Sequence, residues 1–245
     1  MAPAPTRTPN ELARARVLIA GVGGLGAPAA EALAAAGVGT LGLFDPDVVE
    51  VSNLHRQPLY DDDAIGRPKA AVAAERLRAL APELDVEWER RAITAGDAPL
   101  VARFDVLLDG TDSIAAKFLM NDLAVAAERP LVHAGVVGGR AQLLTVLPRR
   151  SACYRCIFET PPPPEEAVSC TEAGVLGPLP ALVGALQAAE AVRVLRGEQA
   201  SFADRLLTMD VWSGTWRSVP LARRLTCAAC GPGLGASAAT RSIAS

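Results

Sequence analysis

The sequence predicts an α/β protein whose core is a mostly parallel sheet covered by helices on both faces. Residues 16–47 have the pattern strand, glycine-rich turn, helix and strand. Apolar strand-like runs then alternate with helical patterns as far as about residue 150. Strands that are joined through helices lie parallel, and the helices cover both faces of the sheet. The predicted fold is therefore Rossmann-like.

Composition and charge restrict the class of protein. The chain has 245 residues, of which 50% are hydrophobic, and a formal net charge of −3. These values are typical of a globular protein, and they give no reason to expect nucleic acid as a partner. Charged residues or proline interrupt every long apolar run, and the first residues have no apolar core of the signal-peptide kind. We therefore expect a cytoplasmic protein that has no membrane partner.

The glycine-rich turn of the opening unit is the first candidate site. Glycines let the backbone approach a phosphate closely, and the start of the following helix offers free N–H groups. The second strand, residues 41–44, ends at Asp45, about 20 residues past the last glycine, the spacing at which an acid reaches a ribose hydroxyl. A purely structural turn is the alternative, but the strand, helix and acid together favour a nucleotide site. The glycines are Gly21, Gly23, Gly24 and Gly26.

Further elements follow in chain order. A polar loop leaves the second strand and runs from Asp45 to Gln57, where loops of such sheets line the ligand crevice. A helix is predicted from Lys69 to Pro82. Its apolar spacing predicts a buried face made of Ala70, Ala73, Leu77 and Leu80. We then expect an edge strand at 84–89, a buried strand at 104–108, a helix at 114–128 and strands at 130–134 and 142–147.

The character of the chain changes after residue 150. Residues 151–178 form a cysteine-bearing crossover segment with four consecutive prolines, which favour extended chain. A helix is predicted from Leu179 to Gly197, followed by strands at 206–212 and 216–219. Its expected apolar face comprises Leu182, Leu186, Ala189 and Val192. We expect a single nucleotide-binding domain, 16–230, between a poorly ordered N-terminus, 1–15, and a disordered tail, 231–245.

Five cysteines indicate metal binding or catalysis in a protein of this class. Four of them form two Cys-x-x-Cys pairs, Cys153 with Cys156 and Cys227 with Cys230. Two such pairs can complete a four-thiolate zinc site with no position left for water, so the zinc would be structural and would clamp the C-terminal segment. A redox motif and two disulfides are the alternatives. The fifth, Cys170, precedes a predicted helix and is either a reactive thiolate or an ordinary half-buried cysteine.

Charged residues on loops at the same sheet edge indicate which nucleotide binds. Arg56 and Lys69 are cations close to the expected crevice, and Asp112 is an acid at the tip of another strand. Each alone is most simply a solvated surface charge. Together they favour ATP with magnesium over a dinucleotide, because charge develops on a phosphate leaving group. His55 and His133, the two histidines, fit no catalytic motif and are expected to be structural.

Seven stretches occur in a characteristic order along nearly the whole chain, from about Arg16 to Cys230. The combination resembles the ThiF/MoeB/HesA family, the bacterial relatives of the ubiquitin-activating enzymes. The stretches are Gly21-Val-Gly-Gly-Leu-Gly, Asp45-Pro-Asp-Val-Val-Glu-Val-Ser-Asn-Leu-His-Arg-Gln, Gly66-Arg-Pro-Lys, Gly110-Thr-Asp-Ser, Cys153-Tyr-Arg-Cys, Ser169-Cys-Thr-Glu-Ala-Gly-Val and the closing Cys-x-x-Cys.

The resemblance implies an adenylyltransferase that uses ATP, Mg²⁺ and a structural Zn²⁺. Its substrate would be the C-terminal Gly-Gly carboxylate of a ubiquitin-like sulfur-carrier protein of the ThiS or MoaD kind, in thiamin, molybdopterin or related biosynthesis. The carboxylate attacks the α-phosphate and releases pyrophosphate. The resemblance further implies a homodimer, with a sulfur-donor protein as another partner.

Residue roles also follow from the matched motifs. The resemblance implies that Gly24 faces the phosphates and that Asp45 binds the ribose. It likewise implies that Asn53, Arg56 and Lys69 bind phosphates and that Asp112 holds magnesium, and Cys170 matches a crossover-loop cysteine that some members use covalently. Catalytic roles are thus expected for Arg56, Lys69, Asp112 and Cys170. The expected nucleotide site comprises Gly21, Gly23, Gly24, Gly26, Asp45, Asp47, Asn53, Arg56, Gln57, Lys69, Asp112 and Ser113, and the zinc ligands are Cys153, Cys156, Cys227 and Cys230.

Three positions depart from the family pattern. The usual N-terminal arginine motif is missing, since only Arg7 and Arg14 precede residue 16. Ser113 replaces an asparagine, and Lys117 replaces an arginine, which keeps the charge but loses the bidentate fork. Two alternatives therefore stay open: adenylation of a carboxylate outside the ubiquitin fold, and a non-catalytic nucleotide-binding scaffold.

Overall fold

A computed structural model describes residues 9–162 and 174–231 of the chain. Its centre is a sheet of eight strands in the order β3-β2-β1-β4-β5-β6-β7-β8. The strands are β1 Arg16–Ala20, β2 Thr40–Phe44, β3 Asp85–Glu89, β4 Val106–Asp109, β5 Leu131–Val137, β6 Arg140–Val146, β7 Arg205–Asp210 and β8 Thr215–Pro220. The predicted strands are thus all present, with shifted ends, and the predicted edge strand β3 does lie at an edge.

The sheet has a parallel part and an antiparallel part. Strands β1 to β5 pair in parallel, whereas β5 to β8 pair antiparallel. The change occurs at the two-residue turn Gly138–Gly139, where Gly138 has φ +60°, because such a turn joins only antiparallel strands. The α/β prediction is confirmed, with an antiparallel extension from β6 onward.

Eight helices lie along the described chain: α1 Pro9–Leu12, α2 Gly26–Ala35, α3 Val51–Leu54, α4 Lys69–Leu80, α5 Ala98–Val101, α6 Ile114–Ala126, α7 Tyr154–Ile157 and α8 Pro178–Leu195. Side chains of α2, α4 and α8 share one buried cluster with Val17 and Ile19 of β1. Those of α5, α6 and α7 share a second cluster with Leu18 and Ala20. Successive residues of a strand point to opposite faces, so β1 is buried on both, as expected for a parallel strand between helical layers.

The predicted apolar face of the last helix is wrong. In α8, Leu182 and Ala189 are exposed and Leu186 is only partly buried, while the buried face carries Gln187 and Glu190 among its apolar residues. Glu190 accepts hydrogen bonds from the Thr145 hydroxyl at 2.8 Å and the Phe202 N–H at 2.9 Å. These partners make a polar face compatible with burial, which apolar periodicity cannot reveal.

Other boundaries differ from expectation as well. Leu80 ends α4 with 59% exposure, so it does not belong to the buried face of that helix. The predicted polar loop after β2 contains the short helix α3. Of the N-terminal residues 1–15, predicted to be poorly ordered, the described part contains α1 at 9–12, and Leu12 and Ala15 are buried. Residues 163–173 and the tail from 232 onward lie outside the described residues. The first of these segments contains Cys170 and the last two of the four consecutive prolines.

One helix of the described chain, α8, is long and apolar enough to pass as a membrane span by length and composition. Half of that window is buried within the protein. The helix packs on α2, where a Cβ added to Gly184 would lie 2.3 Å from the Leu25 carbonyl oxygen. This is the packing of a core helix.

Candidate functional site

A cavity of about 1190 Å³ opens where β1, β2 and β4 end. Strands β2 and β4 lie on opposite sides of β1, so the strand order changes direction at β1. Parallel sheets bind ligands at the carboxyl ends of the strands at such a switch point. The cavity brings together eleven residues of the expected nucleotide site: Gly21, Gly23, Gly24, Asp45, Asp47, Asn53, Arg56, Gln57, Lys69, Asp112 and Ser113.

The glycines of the first turn are needed for different physical reasons. Gly21 has φ +82°, a backbone conformation that side chains disfavour. Gly26 is not among the residues that line the cavity; a Cβ there would lie 1.9 Å from the Gly21 carbonyl oxygen. Gly23 and Gly24 do line it. The turn therefore exposes backbone to the cavity at its centre, while Gly26 serves the close contact between α2 and β1.

Asp45 is buried at the carboxyl end of β2. Its two carboxylate oxygens accept hydrogen bonds from the Val22 N–H at 2.7 Å and the Asp47 N–H at 2.8 Å. Burial raises the pKa of Asp45, and the two backbone N–H groups partly oppose that rise. The carboxylate thus ties the glycine turn to the loop after β2, and Asp45 lines the cavity beside that turn.

Lys69 and Arg56 bring positive charge to the cavity. The Lys69 ammonium lies 2.9 Å from a carboxylate oxygen of Asp47. The Arg56 guanidinium donates to the Ser52 carbonyl oxygen at 2.8 Å, and within residues 9–162 and 174–231 it forms no ion pair with a carboxylate. Both cations line the same cavity as the glycine turn, an arrangement suited to a polyphosphate.

Asn53 and Gln57 lie at the cavity wall, and both are buried. The side-chain nitrogen of Asn53 donates to the Ser52 hydroxyl at 3.4 Å. In the described part of the chain, the side-chain oxygen of Gln57 has no hydrogen-bond partner. A buried amide that is incompletely paired at a cavity wall is compatible with ligand binding.

Asp112 and Ser113 follow β4 at the same sheet edge. Asp112 is exposed at the cavity, and none of the described residues engages its carboxylate. Ser113 accepts a hydrogen bond from the Ala116 N–H at 3.4 Å and thereby caps α6. A free carboxylate beside bound phosphates is a usual magnesium ligand, so Asp112 fits that role.

A buried polar cluster lies beneath this loop, and it was not predicted from the sequence. Asp109, fully buried, accepts a hydrogen bond from His133 Nδ1 at 2.8 Å, and the Lys117 ammonium lies 3.4 Å away. Burial alone would raise the pKa of Asp109, but Lys117 and His133 outweigh it and hold that pKa well below its usual range. Burial, with Lys117, lowers the pKa of His133. The cluster therefore holds an ion pair beside a neutral imidazole. The sequence signals were the acid at the end of β4 and Lys117.

The cavity continues over the antiparallel part of the sheet. Gly135, Gln142, Thr208 and Arg217 are successive register partners across β5 to β8, and all four line the cavity. Three strand spacings separate the first from the last, about 14 Å, which matches about four extended residues. The cavity therefore continues from the glycine turn as a groove across β5 to β8.

The four paired cysteines meet in one buried cluster. Their sulfur atoms all lie within 4.8 Å of one another, with separations of 3.9 Å between Cys153 and Cys156, 3.6 Å between Cys153 and Cys227, and 3.5 Å between Cys156 and Cys230. A disulfide would need about 2 Å. Four thiolates around a tetrahedral zinc at about 2.3 Å lie about 3.8 Å apart, so the donor set fits zinc.

Comparison with known proteins identifies the family. The ThiF family matches residues 2–229, so the chain belongs to that family. The sulfur carrier protein adenylyltransferase of Thermus thermophilus is 42% identical over 228 residues, which cover 91% of this chain and 84% of that protein. Adenylyltransferase and sulfurtransferase MOCS3 of Sus scrofa is 44% identical over 222 residues, covering 90% of this chain but only 49% of MOCS3. The chain thus spans about half the length of that relative.

Solved structures show the same fold. E. coli MccB with MccA-N7isoASN superposes with a TM-score of 0.81 at 24% identity, over 91% of this chain and 68% of that one. E. coli MccB with ATP gives a TM-score of 0.79 at 24% identity, with the same coverage.

Proposed function

We propose that this protein uses ATP to adenylate the C-terminal Gly-Gly carboxylate of a ubiquitin-like sulfur-carrier protein. One observation carries the proposal: a single cavity unites the glycine turn, the cations Arg56 and Lys69, and the free carboxylate of Asp112. The family and the relative that is named a sulfur carrier protein adenylyltransferase support the same substrate class. The groove over β5 to β8 would accept the extended carrier tail.

The chemistry is a displacement at the α-phosphorus of ATP. A carrier carboxylate oxygen forms a bond to phosphorus, while the bond to the bridging oxygen breaks and pyrophosphate leaves with the electron pair. Arg56 and Lys69 would neutralise charge that develops on the pyrophosphate. Asp45 would bind the ribose, Asn53 and Gln57 would contact the nucleotide, and the N–H groups of the turn at Gly23 and Gly24 would face the phosphates.

Two metal ions belong to the proposal. Asp112 would hold Mg²⁺, which when bound neutralises phosphate charge and orients the leaving group. The four clustered cysteines would hold a structural Zn²⁺ that joins α7 to the segment after β8. Cys170, outside the described residues, remains a candidate for covalent attachment to the carrier. A sulfur-donor protein would then supply sulfur that bonds to the adenylated carboxyl carbon, with AMP as the leaving group. We place these steps in the cytoplasm.

The decisive measurement is ATP–pyrophosphate exchange with Mg²⁺ against a panel of Gly-Gly-ended carriers from the same genome, with Asp112→Ala as the blank. We expect exchange with one carrier and its loss in the variant. Binding of ATP without exchange on any carrier would instead support the scaffold alternative. Adenylation of a carboxylate outside the ubiquitin fold has less support. The solved structure of MccB with MccA-N7isoASN is only 24% identical to this chain, so that likeness supports the fold and not the substrate.

The homodimer is proposed from α8. Leu182 on this helix is 42% exposed, and Leu186 and Ala189 extend its apolar face. A second copy of the chain would cover that face. We expect light scattering to report a dimer that Leu182→Glu dissociates, whereas Leu80→Glu, at an exposed leucine of α4, leaves it intact. A monomeric wild-type protein would contradict this.

A further inference from the structure

The polar cluster beneath the Thr111–Asp112 loop holds one residue of that loop very firmly. Asp109 Oδ1 accepts from the Thr111 N–H at 3.0 Å and from its hydroxyl at 2.7 Å. The Lys117 ammonium donates to the Thr111 carbonyl oxygen at 2.7 Å and to the Ala134 carbonyl oxygen at 2.7 Å. Thr111 is therefore fixed at three polar atoms, directly before Asp112.

The orientation of Asp109 itself depends on His133. The second carboxylate oxygen, Oδ2, has a short contact of 2.8 Å with His133 Nδ1 and a longer one of 3.4 Å with Lys117. Lys117 already has two shorter acceptors. The hydrogen bond from His133 is thus the main support of Oδ2, and it keeps Oδ1 turned toward Thr111.

His133 is held in turn from the other side. Its ring centroid lies 4.5 Å from that of Tyr154 on α7, and its side chain is fully buried. Because Nδ1 donates to Asp109, the neutral ring carries its proton there. Nε2 is buried and has no hydrogen-bond partner among the described residues. Packing against Tyr154 and the bond to Asp109 therefore fix the ring, which does not itself line the cavity.

We propose that His133 is a positioning residue for adenylation, which through Asp109 fixes Thr111 and thereby the direction of the Asp112 carboxylate. This inference rests on the proposed function, in which Asp112 holds the magnesium of ATP. Partners that orient a metal ligand typically change metal affinity by about tenfold or more when they are removed. His133 does not touch the nucleotide or the carrier in this scheme.

Two matched variants test the proposal. His133→Leu removes the donor, whereas His133→Asn can place its amide nitrogen where Nδ1 lies. Mn²⁺ binding is followed by electron paramagnetic resonance in the presence of a non-hydrolysable ATP analogue, which requires no carrier. We expect His133→Leu to weaken Mn²⁺ binding about tenfold and to raise the half-saturating Mg²⁺ in the exchange reaction similarly. Metal-free binding of the analogue should stay unchanged, and His133→Asn should recover most of the loss.

A folded His133→Leu protein that binds Mn²⁺ as wild type does would overturn the proposal. If that variant does not fold, Thr111→Val decides, since it removes only the 2.7 Å bond from the hydroxyl to Asp109. Weakened Mn²⁺ binding in Thr111→Val supports the proposal, and unchanged binding rejects it. Failure of the proposed function is a separate result: wild-type protein would then show no exchange with any carrier, whatever its Mn²⁺ binding.

Discussion

The Lys69 ammonium lies 2.9 Å from an Asp47 carboxylate oxygen, although the Lys69 side chain is only 7% exposed and that of Asp47 is 62% exposed. The lysine is thus held at the wall of the cavity, while its partner faces solvent. Because Asp47 is solvated, water screens the attraction between the two charges and lowers what the pair contributes to the free energy of unfolding. The charge of Lys69 is therefore available to a phosphate that enters.

Replacing Lys69 by methionine should separate activity from stability. We expect Lys69→Met to lower pyrophosphate exchange about 100-fold, because one cation that stabilises the leaving group is lost. The melting temperature should change little. Arg67→Met is the matched control, since Arg67 forms an exposed ion pair with Glu75 at 2.6 Å and does not line the cavity. Equal exchange rates in the two variants would contradict a phosphate role for Lys69.

The glycine turn offers a pair of substitutions with opposite expectations. Gly26→Ala would place its Cβ 1.9 Å from the Gly21 carbonyl oxygen, so we expect destabilisation of about 3 kcal/mol or more. Gly23→Ala meets only the Gln57 side chain at 3.4 Å, so the protein should fold and lose ATP affinity. Thermal melts and nucleotide titration separate the two. A Gly26→Ala protein with wild-type stability would exclude the packing role.

The buried imidazole predicts a dependence of stability on pH. Burial and Lys117 lower the pKa of His133, so below about pH 6.5 the unfolded chain binds a proton that the folded protein does not. The contribution of neutral His133 to the free energy of unfolding is fully present above about pH 6.5. It is lost as the pH falls from there to the lower pKa of the folded state, by up to about 1.4 kcal/mol per pH unit.

His133→Asn removes this titration and serves as the comparison, because the other histidine, His55, is exposed and stays in both proteins. Between pH 7.5 and pH 5.5 the wild-type protein should lose about 3–5 °C more in melting temperature than the variant. Parallel pH profiles would show that His133 is not buried in neutral form.

Zinc binding is tested with the cysteines. We expect the wild-type protein to bind about one zinc ion per chain. The Cys227→Ser variant should lose this zinc, melt at a lower temperature and become sensitive to proteolysis at residues 221–231. Cys170→Ser is the control and should retain the metal. Elemental analysis and limited proteolysis provide both readouts, and full zinc content in Cys227→Ser would disprove the four-cysteine site.

The sequence predicts the site well where its residues follow local rules. The glycine turn, Asp45 and Asp112 each stand at the end of a recognisable strand, so parallel topology alone brings them to one edge. The edge position of β3 was also predicted, from its alternating pattern, whereas the order of the strands in the sheet was not.

Residues whose partners are distant in sequence escape such rules. The buried face of α8 includes Gln187, whose amide nitrogen donates to the carbonyl oxygens of Asp109 and Val132 at 2.9 and 3.0 Å. No residue near position 187 in the sequence indicates these acceptors. Apolar periodicity therefore predicted as buried a face of α8 that is largely exposed. The bond between His133 and Asp109 is equally non-local, and an isolated histidine in a strand carries no signal of it.

The separation of the cysteine pairs along the chain has a consequence for the order of folding. Cys153 and Cys227 are 74 residues apart, as are Cys156 and Cys230. Closing such long loops is entropically unfavourable until intervening structure forms. Helix α8 and strands β7 and β8 lie between the pairs, so we expect the four thiolates to meet after these elements have joined the sheet. Metal uptake would therefore be a late folding step, and its rate would report the completion of the sheet.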